Sequence, residues 1–269
     1  MSAADDLRTH GYAVVPGVLT PEEIGRLRDF CDEWFGAADT DEMPASVFLR
    51  TPDLARIPLR DDVVALLKSI YGDSYVLYPN FIVRKNLYIG WHIDPAFAGP
   101  DKGYVWKPDF LHLQCVIYLQ DNDREHGGGL DVVSGSHRPV LRFISGRSPF
   151  GYYGVQVARR LLMPRAKHTL RIRAGDLVMW HGRAVHRSTP MRRESKEAKY
   201  ALFFSTGHRD VFATNQFLAD MVGHRYQLKN GASHFSPRYA ELPDLHYPDA
   251  FPPEMVESAT KHSVEVVTL

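Results

Sequence analysis

Three residues of this chain have the types and spacing needed to hold a metal ion. His92 and Asp94 are separated by a single residue, and a second histidine, His186, stands far downstream on another predicted strand. Residues i and i+2 of an extended strand project to the same face, so one ion could contact both the imidazole and the carboxylate. A His-x-Asp pair with one distant histidine is the facial triad that binds non-haem iron(II) and leaves coordination positions open.

The distal ligand has a second candidate, because His181 closely precedes His186. The predicted strand Asp176–Trp180 runs into His181, where the chain must turn. We favour His186 as the ligand, since it starts a new polar segment, and we expect His181 to lie behind the site or in the core. The alternative for His92 and Asp94 is a buried histidine bonded to a nearby carboxylate. The metal interpretation is favoured because the pair precedes an aromatic, turn-rich loop, where sites commonly form.

Short β-type runs must position these residues. Tyr12–Val15 is the first run, and a helix is predicted to start at Pro21 behind the capping residues Thr20 and Glu23. A second helix is predicted over Asp61–Tyr71. Seven later runs, rich in Val, Ile, Tyr and Phe and divided by turn residues, are predicted strands: Ser74–Val83, Leu87–His92, Leu111–Leu119, Gly129–Val133, Thr169–Arg173, Asp176–Trp180 and Lys199–Ser205. Such a series predicts an all-β sandwich or barrel rather than βαβ units.

The whole chain, residues 1–269, is predicted to form a single domain. It has an N-terminal helical support (1–73), a β core (about 74–206) and a C-terminal extension (207–269). The extension contains a predicted helix over Asn215–Val222. We expect it to pack over the mouth of the β core or at an oligomer interface, and the sequence does not choose between these.

Composition excludes several classes of protein. Lys plus Arg and Asp plus Glu each number 32, so the formal charge is zero, and nothing indicates a nucleic-acid or membrane partner. Cys31 and Cys115 are too few for a disulfide scaffold and fit a reducing interior. The acidic N-terminus lacks the apolar segment of a signal peptide. We therefore expect a cytoplasmic protein, and its oligomeric state stays open.

The ligand residues stand within a longer series of motifs. In order, the chain carries Gly11-Tyr-Ala-Val-Val-Pro-Gly-Val-Leu-Thr-Pro-Glu-Glu, then His92-Ile-Asp94, then Gly127-Gly-Gly-Leu-Asp-Val-Val-Ser-Gly-Ser-His137, then Gly175-Asp-Leu-Val-Met-Trp-His-Gly with His186-x-Ser188. This series, over roughly residues 9–206, resembles the phytanoyl-CoA dioxygenase (PhyH) family of iron(II)/2-oxoglutarate oxygenases. Ser134 replaces the proline usual in the third motif, a loop change with little bearing on chemistry.

The resemblance implies a fold and an activity. The implied fold is mainly β with flanking helices, with a double-stranded β-helix (jelly-roll, cupin-like) core, the metal at its open end and His186 as third ligand. The implied cofactors are Fe(II), 2-oxoglutarate as co-substrate and O2. The implied activity is that of a dioxygenase that forms succinate and CO2 while oxidising a C–H bond of a small-molecule substrate in secondary metabolism. Hydroxylation is the default outcome, with desaturation or ring closure from the same start.

Other activities are less favoured. A halogenase needs the carboxylate ligand to be absent, and this chain keeps Asp94. The alternatives from other classes are a jelly-roll small-molecule-binding protein and a cupin-type metal hydrolase or isomerase without 2-oxoglutarate turnover.

Four residues are expected to bind the co-substrate. The family places an arginine, which pairs with the far carboxylate of 2-oxoglutarate, on the strand after the distal histidine. This chain has Lys199 there, and lysine can hold a carboxylate as a point charge. Arg193 is the rival, and we prefer Lys199 because a strand positions a side chain better than a loop does. Ser188 and Gln114 are the other two candidates.

The substrate pocket is less well defined. Aromatic residues near the predicted ligands could form its wall or simply belong to the core: Trp91, Phe97, Tyr104, Trp106, Phe110 and Trp180. Core is the preferred interpretation for Trp91 and Trp180. Arginines of an inserted region could meet an anion or form a solvated face, and the latter is preferred: Arg142, Arg147, Arg159, Arg160 and Arg165.

Overall fold

The computed structural model describes residues 2–86, 88–94, 103–138, 167–209, 211–229, 248 and 250–267. Its strands are β1 (Tyr12–Val15), β2 (Glu42–Met43), β3 (Tyr75–Lys85), β4 (His112–Tyr118), β5 (Leu130–Val133), β6 (Lys167–Thr169), β7 (Leu177–His181), β8 (His186–Ser188), β9 (Tyr200–His208) and β10 (Val264–Val266). Its α-helices are α1 (Ala3–His10), α2 (Pro21–Ala37), α3 (Ala45–Arg50), α4 (Pro52–Ala55), α5 (Asp61–Tyr71), α6 (Phe212–Lys229) and α7 (Pro253–Lys261). Short 3-10 helices cover Ile57–Leu59 and Gly103–Trp106.

Two helices begin where local sequence predicts. At the start of α2, the Thr20 hydroxyl accepts a bond from the backbone N–H of Glu23 (3.3 Å), and the Glu23 carboxylate accepts one from the N–H of Thr20 (2.9 Å). This reciprocal capping satisfies two N–H groups that have no partner inside the helix. Helix α5 has the predicted bounds and ends at Gly72, whose φ of +94° is accessible to glycine.

A large sheet has the strand order β1-β7-β4-β9-β3-β10, with β2 paired to β3. Its strands pair antiparallel except for β10, which runs parallel to β3. The central strand β4 alternates in the way a two-faced sheet requires: Leu113, Cys115 and Ile117 pack in the core shared with the helices, whereas Val116 and Tyr118 face the other way. Helices α2 to α5 therefore cover one face of this sheet.

A smaller sheet, in the order β6-β5-β8, packs on the opposite face. Leu130 and Val132 of β5 share a buried apolar cluster with Val116, Val178 and Trp180 of the large sheet. The core is thus an open sandwich of two sheets rather than a closed barrel. The predicted class, mainly β with flanking helices, is confirmed.

The predicted strand Leu87–His92, whose first residue lies outside the described ones, is wrong. Its described part forms no strand, and His92 makes only an isolated antiparallel bridge with His186. Ile89 and Ser188 are also paired, because the Ser188 N–H donates to the Ile89 carbonyl (2.9 Å). Two residues therefore stand between Ile89 and His92, whereas only Arg187 stands between their partners His186 and Ser188. This bulge interrupts the strand, and regular alternation does not predict it.

The predicted strand Thr169–Arg173 is displaced. Strand β6 is Lys167–Thr169, and beyond it Ile172 makes an isolated bridge with Asn122 instead of continuing along β5. The apolar run is thus divided between two partners. The predicted helix Asn215–Val222 lies inside the longer α6.

The C-terminal segment extends the large sheet, which the sequence did not lead us to expect. Strand β10 pairs with β3, and Met255 and Ala259 of α7 pack in the core shared with the other helices. Phe217 and Met221 of α6 pack against β3 and the 3-10 helix Gly103–Trp106. Within the described part of the chain, no helix is both long and apolar enough to cross a membrane.

Candidate metal centre

His92 and His186 lie side by side across their bridge. The N–H of each donates to the carbonyl oxygen of the other, at 2.9 and 3.0 Å, and their ring centroids are 4.2 Å apart. Asp94 is held separately, by a bond from its N–H to the carbonyl oxygen of Gly182 just after β7 (2.9 Å). The three side chains converge from distant parts of the sequence, and one ligand atom of each lies within 4.8 Å of the others.

Hydrogen bonds determine which nitrogen of each imidazole is free. His92 Nδ1 lies 2.8 Å from the carbonyl oxygen of Gly90, and His186 Nδ1 lies 2.9 Å from that of Ala184. A carbonyl oxygen only accepts, so Nδ1 carries the proton in both rings and the lone pair is on Nε2. His186 Nε2 lies 3.5 Å from Asp94 Oδ1. A carbonyl partner for the second ring nitrogen is usual for metal-binding histidines.

Burial controls the charges of these three groups. It lowers the pKa of His92 to about 4 and lowers the pKa of His186 well below its usual value, with nearby His92 adding to the effect. Burial raises the pKa of Asp94 to about 8, although a hydrogen bond from Trp180 acts in the opposite direction. Both imidazoles are therefore neutral at pH 7 and offer lone pairs. A cation beside Asp94 would favour the carboxylate over the carboxylic acid.

This donor set fits a ferrous ion. Two imidazole nitrogens and one carboxylate oxygen leave the other positions of an octahedron free, as an oxygenase site requires. His181 is not brought to this centre. The Arg183 guanidinium lies 3.2 Å from His181 Nε2, and the Arg183 backbone N–H donates to His181 Nδ1 at 3.1 Å. Arg183 therefore lies against both ring nitrogens of His181, and its guanidinium would repel a metal cation.

Asp131, within the motif Gly127–His137, contacts residues that follow His186 in the sequence. Asp131 of β5 accepts a bond from Arg187 Nε–H at 2.8 Å, has Arg187 Nη2 2.8 Å from the same oxygen, and accepts a bond from the Thr189 hydroxyl at 2.9 Å. These charge-assisted bonds tie the segment that carries His186 to the neighbouring strand.

A cavity of about 500 Å³ opens beside β8 and the start of β9. Lys199 and Ser188, two of the residues expected to bind the co-substrate, line it. Lys199 is half-buried, its Nζ donates to the Gly127 carbonyl oxygen at 2.6 Å, and burial lowers its pKa. The side chain passes so close to Gly128 that a Cβ there would collide with it, and the φ of +81° at Gly128 also favours glycine. The glycine-rich motif thus makes room for this lysine.

The other two co-substrate candidates lie elsewhere. Gln114 is buried on β4 opposite Trp180, and its Nε2 donates to the Phe204 carbonyl oxygen at 3.3 Å. It does not line the cavity. The Arg193 side chain is 73% exposed, with its Nη1 3.6 Å from Glu125. The structure therefore brings Lys199, and not Arg193, to the cavity.

Sequence reasoning missed one cation of the cavity. Arg84 of β3 lines it, with Nε 3.0 Å from Glu42 and the guanidinium 5.1 Å from the centre of the Phe203 ring. Its positive charge also lowers the pKa of both His92 and Asp94. The two-residue alternation of β3 is the signal that could have placed Arg84 on the inner face.

Most of the aromatic candidates belong to the core. Tyr104, Trp106 and Phe110 pack with α6, and the Arg187 guanidinium stacks 4.6 Å from the centre of the Trp91 ring. Trp180 differs, because it is buried as expected yet also donates to Asp94. The remaining candidates for the pocket lie outside the described residues: Phe97, Arg142, Arg147, Arg159, Arg160 and Arg165.

One family model and several solved structures are similar to this chain. The family model described as Phytanoyl-CoA dioxygenase (PhyH) matches residues 49–196. SnoN, a non-heme alpha ketoglutarate dependent epimerase from nogalamycin biosynthesis, is 20% identical with a TM-score of 0.58, over 77% of this chain and 79% of SnoN. SnoK, a carbocyclase from the same biosynthesis, is 21% identical with a TM-score of 0.57, over 77% of this chain and 84% of SnoK.

A third structure is that of EctD from S. alaskensis with 2-oxoglutarate and 5-hydroxyectoine. It is 15% identical with a TM-score of 0.59, over 77% of this chain and 76% of EctD. A search of curated proteins finds no match. Identities this low establish a shared fold, and the expected jelly-roll core is thereby confirmed.

The family match is the stronger finding, because it covers more than half of the chain and includes His92, Asp94 and His186. It confirms the resemblance found in the motifs. The chain belongs to the phytanoyl-CoA dioxygenase (PhyH) family and is an oxidoreductase of the iron/2-oxoglutarate-dependent class.

Proposed function

We propose that this protein oxidises a C–H bond of a small organic molecule, with His92, Asp94 and His186 as the ligands of an iron(II) ion. Lys199 anchors the far carboxylate of the co-substrate, 2-oxoglutarate. Iron(II), when bound, would couple the activation of O2 to the decarboxylation of 2-oxoglutarate.

One observation carries the proposal: two imidazoles and the carboxyl group of Asp94 converge within 4.8 Å. Because Nδ1 of both rings is bonded to a carbonyl oxygen, Nε2 of His92 and Nε2 of His186 each offer a lone pair to a metal ion. The chain therefore supplies three donor atoms without having to rearrange its backbone. This pre-organisation favours binding, because the entropy of ordering the ligands has been lost on folding.

The cavity residues supply complementary groups for a dicarboxylate. The Lys199 ammonium has three hydrogens and uses one on the Gly127 carbonyl oxygen, so the others can reach a ligand. The Ser188 hydroxyl accepts a bond from the Ile89 N–H at 3.1 Å and keeps its own hydrogen to donate. Gln114 stays a prediction for a supporting contact from β4.

For the reaction type we propose hydroxylation, or desaturation or ring closure, in secondary metabolism. Each of these begins with removal of a hydrogen from a substrate carbon. Support comes from the shared architecture of an epimerase and a carbocyclase of nogalamycin biosynthesis. Half-buried and apolar groups around the cavity, such as Phe203 and Ile89, would limit the access of water to the reacting carbon.

The test is formation of succinate from 2-oxoglutarate in the presence of iron(II), ascorbate and O2, measured with and without a panel of candidate substrates. We expect succinate that depends on both iron and O2, and none from Asp94→Ala. Exposed Asp109→Ala is the matched control and should retain the wild-type rate. Metal binding without any binding or turnover of 2-oxoglutarate would contradict the proposal and favour the hydrolase or binding-protein alternatives.

A further inference from the structure

Trp180 contacts two of the three proposed ligands. Its Nε1 donates to Asp94 Oδ2 at 2.8 Å, and its indole ring lies 4.8 Å from the His186 ring, tilted by 51°. The residue is 2% exposed and belongs to β7, which is paired on both sides in the large sheet. A large side chain packed in this way has few rotamers available, so the fold determines where its N–H points.

This bond gives the two carboxylate oxygens of Asp94 different environments. Oδ2 accepts the indole N–H, whereas Oδ1 lies 3.5 Å from His186 Nε2, where a shared ion would bind. A carboxylate with two free oxygens can chelate one ion through both of them. An occupied Oδ2 leaves one oxygen for the ion, and a coordination position stays free for another molecule.

We infer that Trp180 is a positioning residue of the metal centre, whose indole N–H holds Asp94 so that one oxygen faces the ion. The inference rests on the proposed function only in assigning a metal to the triad. The role belongs to the N–H and not to the bulk of the ring. A phenylalanine would keep the ring contacts with His186 and with Phe203, whose ring lies 6.4 Å away.

Trp91 provides a matched control. It precedes His92 in the sequence, and its Nε1 is buried without a hydrogen-bond partner among the described residues. Replacement of either tryptophan by phenylalanine removes one indole N–H beside one proposed ligand. Only the N–H of Trp180 reaches a ligand atom.

The first experiment measures Mn(II) binding to the iron-free protein by calorimetry. We expect Trp180→Phe to weaken Mn(II) binding about 10-fold, the usual cost of losing an outer partner of a metal ligand. Trp91→Phe should bind Mn(II) like the wild type, and thermal unfolding should show that both variants fold. Equal affinities in the two variants would overturn the inference.

The second experiment observes the hydrogen bond itself. The chain has four tryptophans, so 15N-tryptophan labelling gives a small set of indole N–H signals, which single Trp→Phe variants at positions 34, 91 and 106 assign by elimination. We expect the Trp180 signal to lie downfield of the Trp91 signal and to lose this displacement in Asp94→Ala. If the chemical shift of the Trp180 indole N–H is the same in Asp94→Ala as in the wild type, the inference is overturned, even if Trp180→Phe does not fold.

The outcomes separate this inference from the proposed function. Mn(II) binding and the indole signal require no 2-oxoglutarate turnover, so a protein that forms no succinate can still show both effects. Conversely, if Asp94→Ala binds Mn(II) as tightly as the wild type does, the triad is not the metal site, and the proposed function fails as well.

Discussion

The described part of the chain contains two clusters of histidines, and they differ in what accompanies them. One cluster, the proposed metal triad, combines the imidazoles of His92 and His186 with the carboxyl group of Asp94. The second group, which we call the core histidine group, consists of His112, His137 and His181 together with Arg183. The ring centroids of His137 and His181 are 5.5 Å apart, compared with 4.2 Å for His92 and His186.

Burial acts alike on both groups, but only the proposed metal triad includes a carboxyl group. It lowers the pKa of His112 to about 3 and of His137 to about 4, so these imidazoles are neutral too. Their charged neighbour, however, is the Arg183 guanidinium, which donates to the carbonyl oxygens of Val105 and Lys107. Clustered, neutral histidines are therefore not a sufficient sign of a metal site. A carboxylate and free, convergent lone pairs make the difference.

Removal of the carboxylate should have the largest effect, because it makes the triad resemble the core histidine group. We expect Asp94→Ala to weaken Mn(II) or Co(II) binding by about 100-fold or more, since an anionic ligand is lost from a buried site. Metal titration of Asp94→Ala beside Asp109→Ala measures this. Unchanged affinity would mean that the two groups do not differ in the way described.

Removing one histidine from each group in turn should show directly which group binds the metal. His186→Ala should lose most of its metal affinity and all iron-dependent turnover. His181→Ala should keep its metal affinity and instead unfold at a lower temperature, because it leaves a cavity beside Arg183. If His181→Ala loses the metal while His186→Ala keeps it, the distal ligand has been assigned to the wrong group.

Two cationic side chains offer a third comparison between the regions. Arg183 is bonded to backbone carbonyl oxygens in the core, whereas Lys199 lines the cavity. We expect Lys199→Met to raise the Kd for 2-oxoglutarate on the Mn(II)-loaded protein about 10-fold, the scale of one charge-assisted contact. Metal affinity should stay the same. Arg193→Met is the control, and an equal loss in both variants would argue against Lys199 as the anchor.

The smallest effect should come from the titration of the core histidine group. Its folded-state pKa values lie below the ordinary value of 6.5, so the unfolded chain binds protons first as the pH falls. The contribution of this group to the free energy of unfolding should therefore be greatest above about pH 6.5 and should decrease towards pH 4, whereas Asp94, whose pKa is raised, contributes with the opposite sign. Urea midpoints across this range measure the trend. His112→Asn should flatten it, and an equally steep slope in that variant would exclude His112 as a contributor.

Residue types allowed the triad to be predicted, although the element that carries it was predicted incorrectly. Few combinations other than two histidines and an aspartate suit an open iron site, so the ligand set was visible without knowledge of the backbone. The regular strand that we expected before His92 is instead a bulge held by Ile89 and Ser188. The position of such a bulge depends on the partner strand, which the local sequence does not contain.

Long-range partners account for the other differences. Trp180 is apolar by type and was expected in the core, and its bond to Asp94 depends on packing between segments far apart in the sequence. Arg84 lies next to Lys85 at the end of a mainly apolar strand, where a charged residue is usually expected to face solvent. The pairing of β10 with β3 likewise joins segments that are far apart in the sequence, with Val264 opposite Tyr75. Such pairings follow from the complete fold and not from any local pattern.

The extra residue between Ile89 and His92 has a consequence for how this protein can change. Deleting one position there would remove the bulge together with the local bend and twist that a bulge imposes, and would so re-aim the His92 imidazole. A change of length in a surface loop leaves this bend in place, whereas the bulge depends on the number of residues between Ile89 and His92. Redesign for new substrates should therefore vary the surrounding loops and keep this count unchanged.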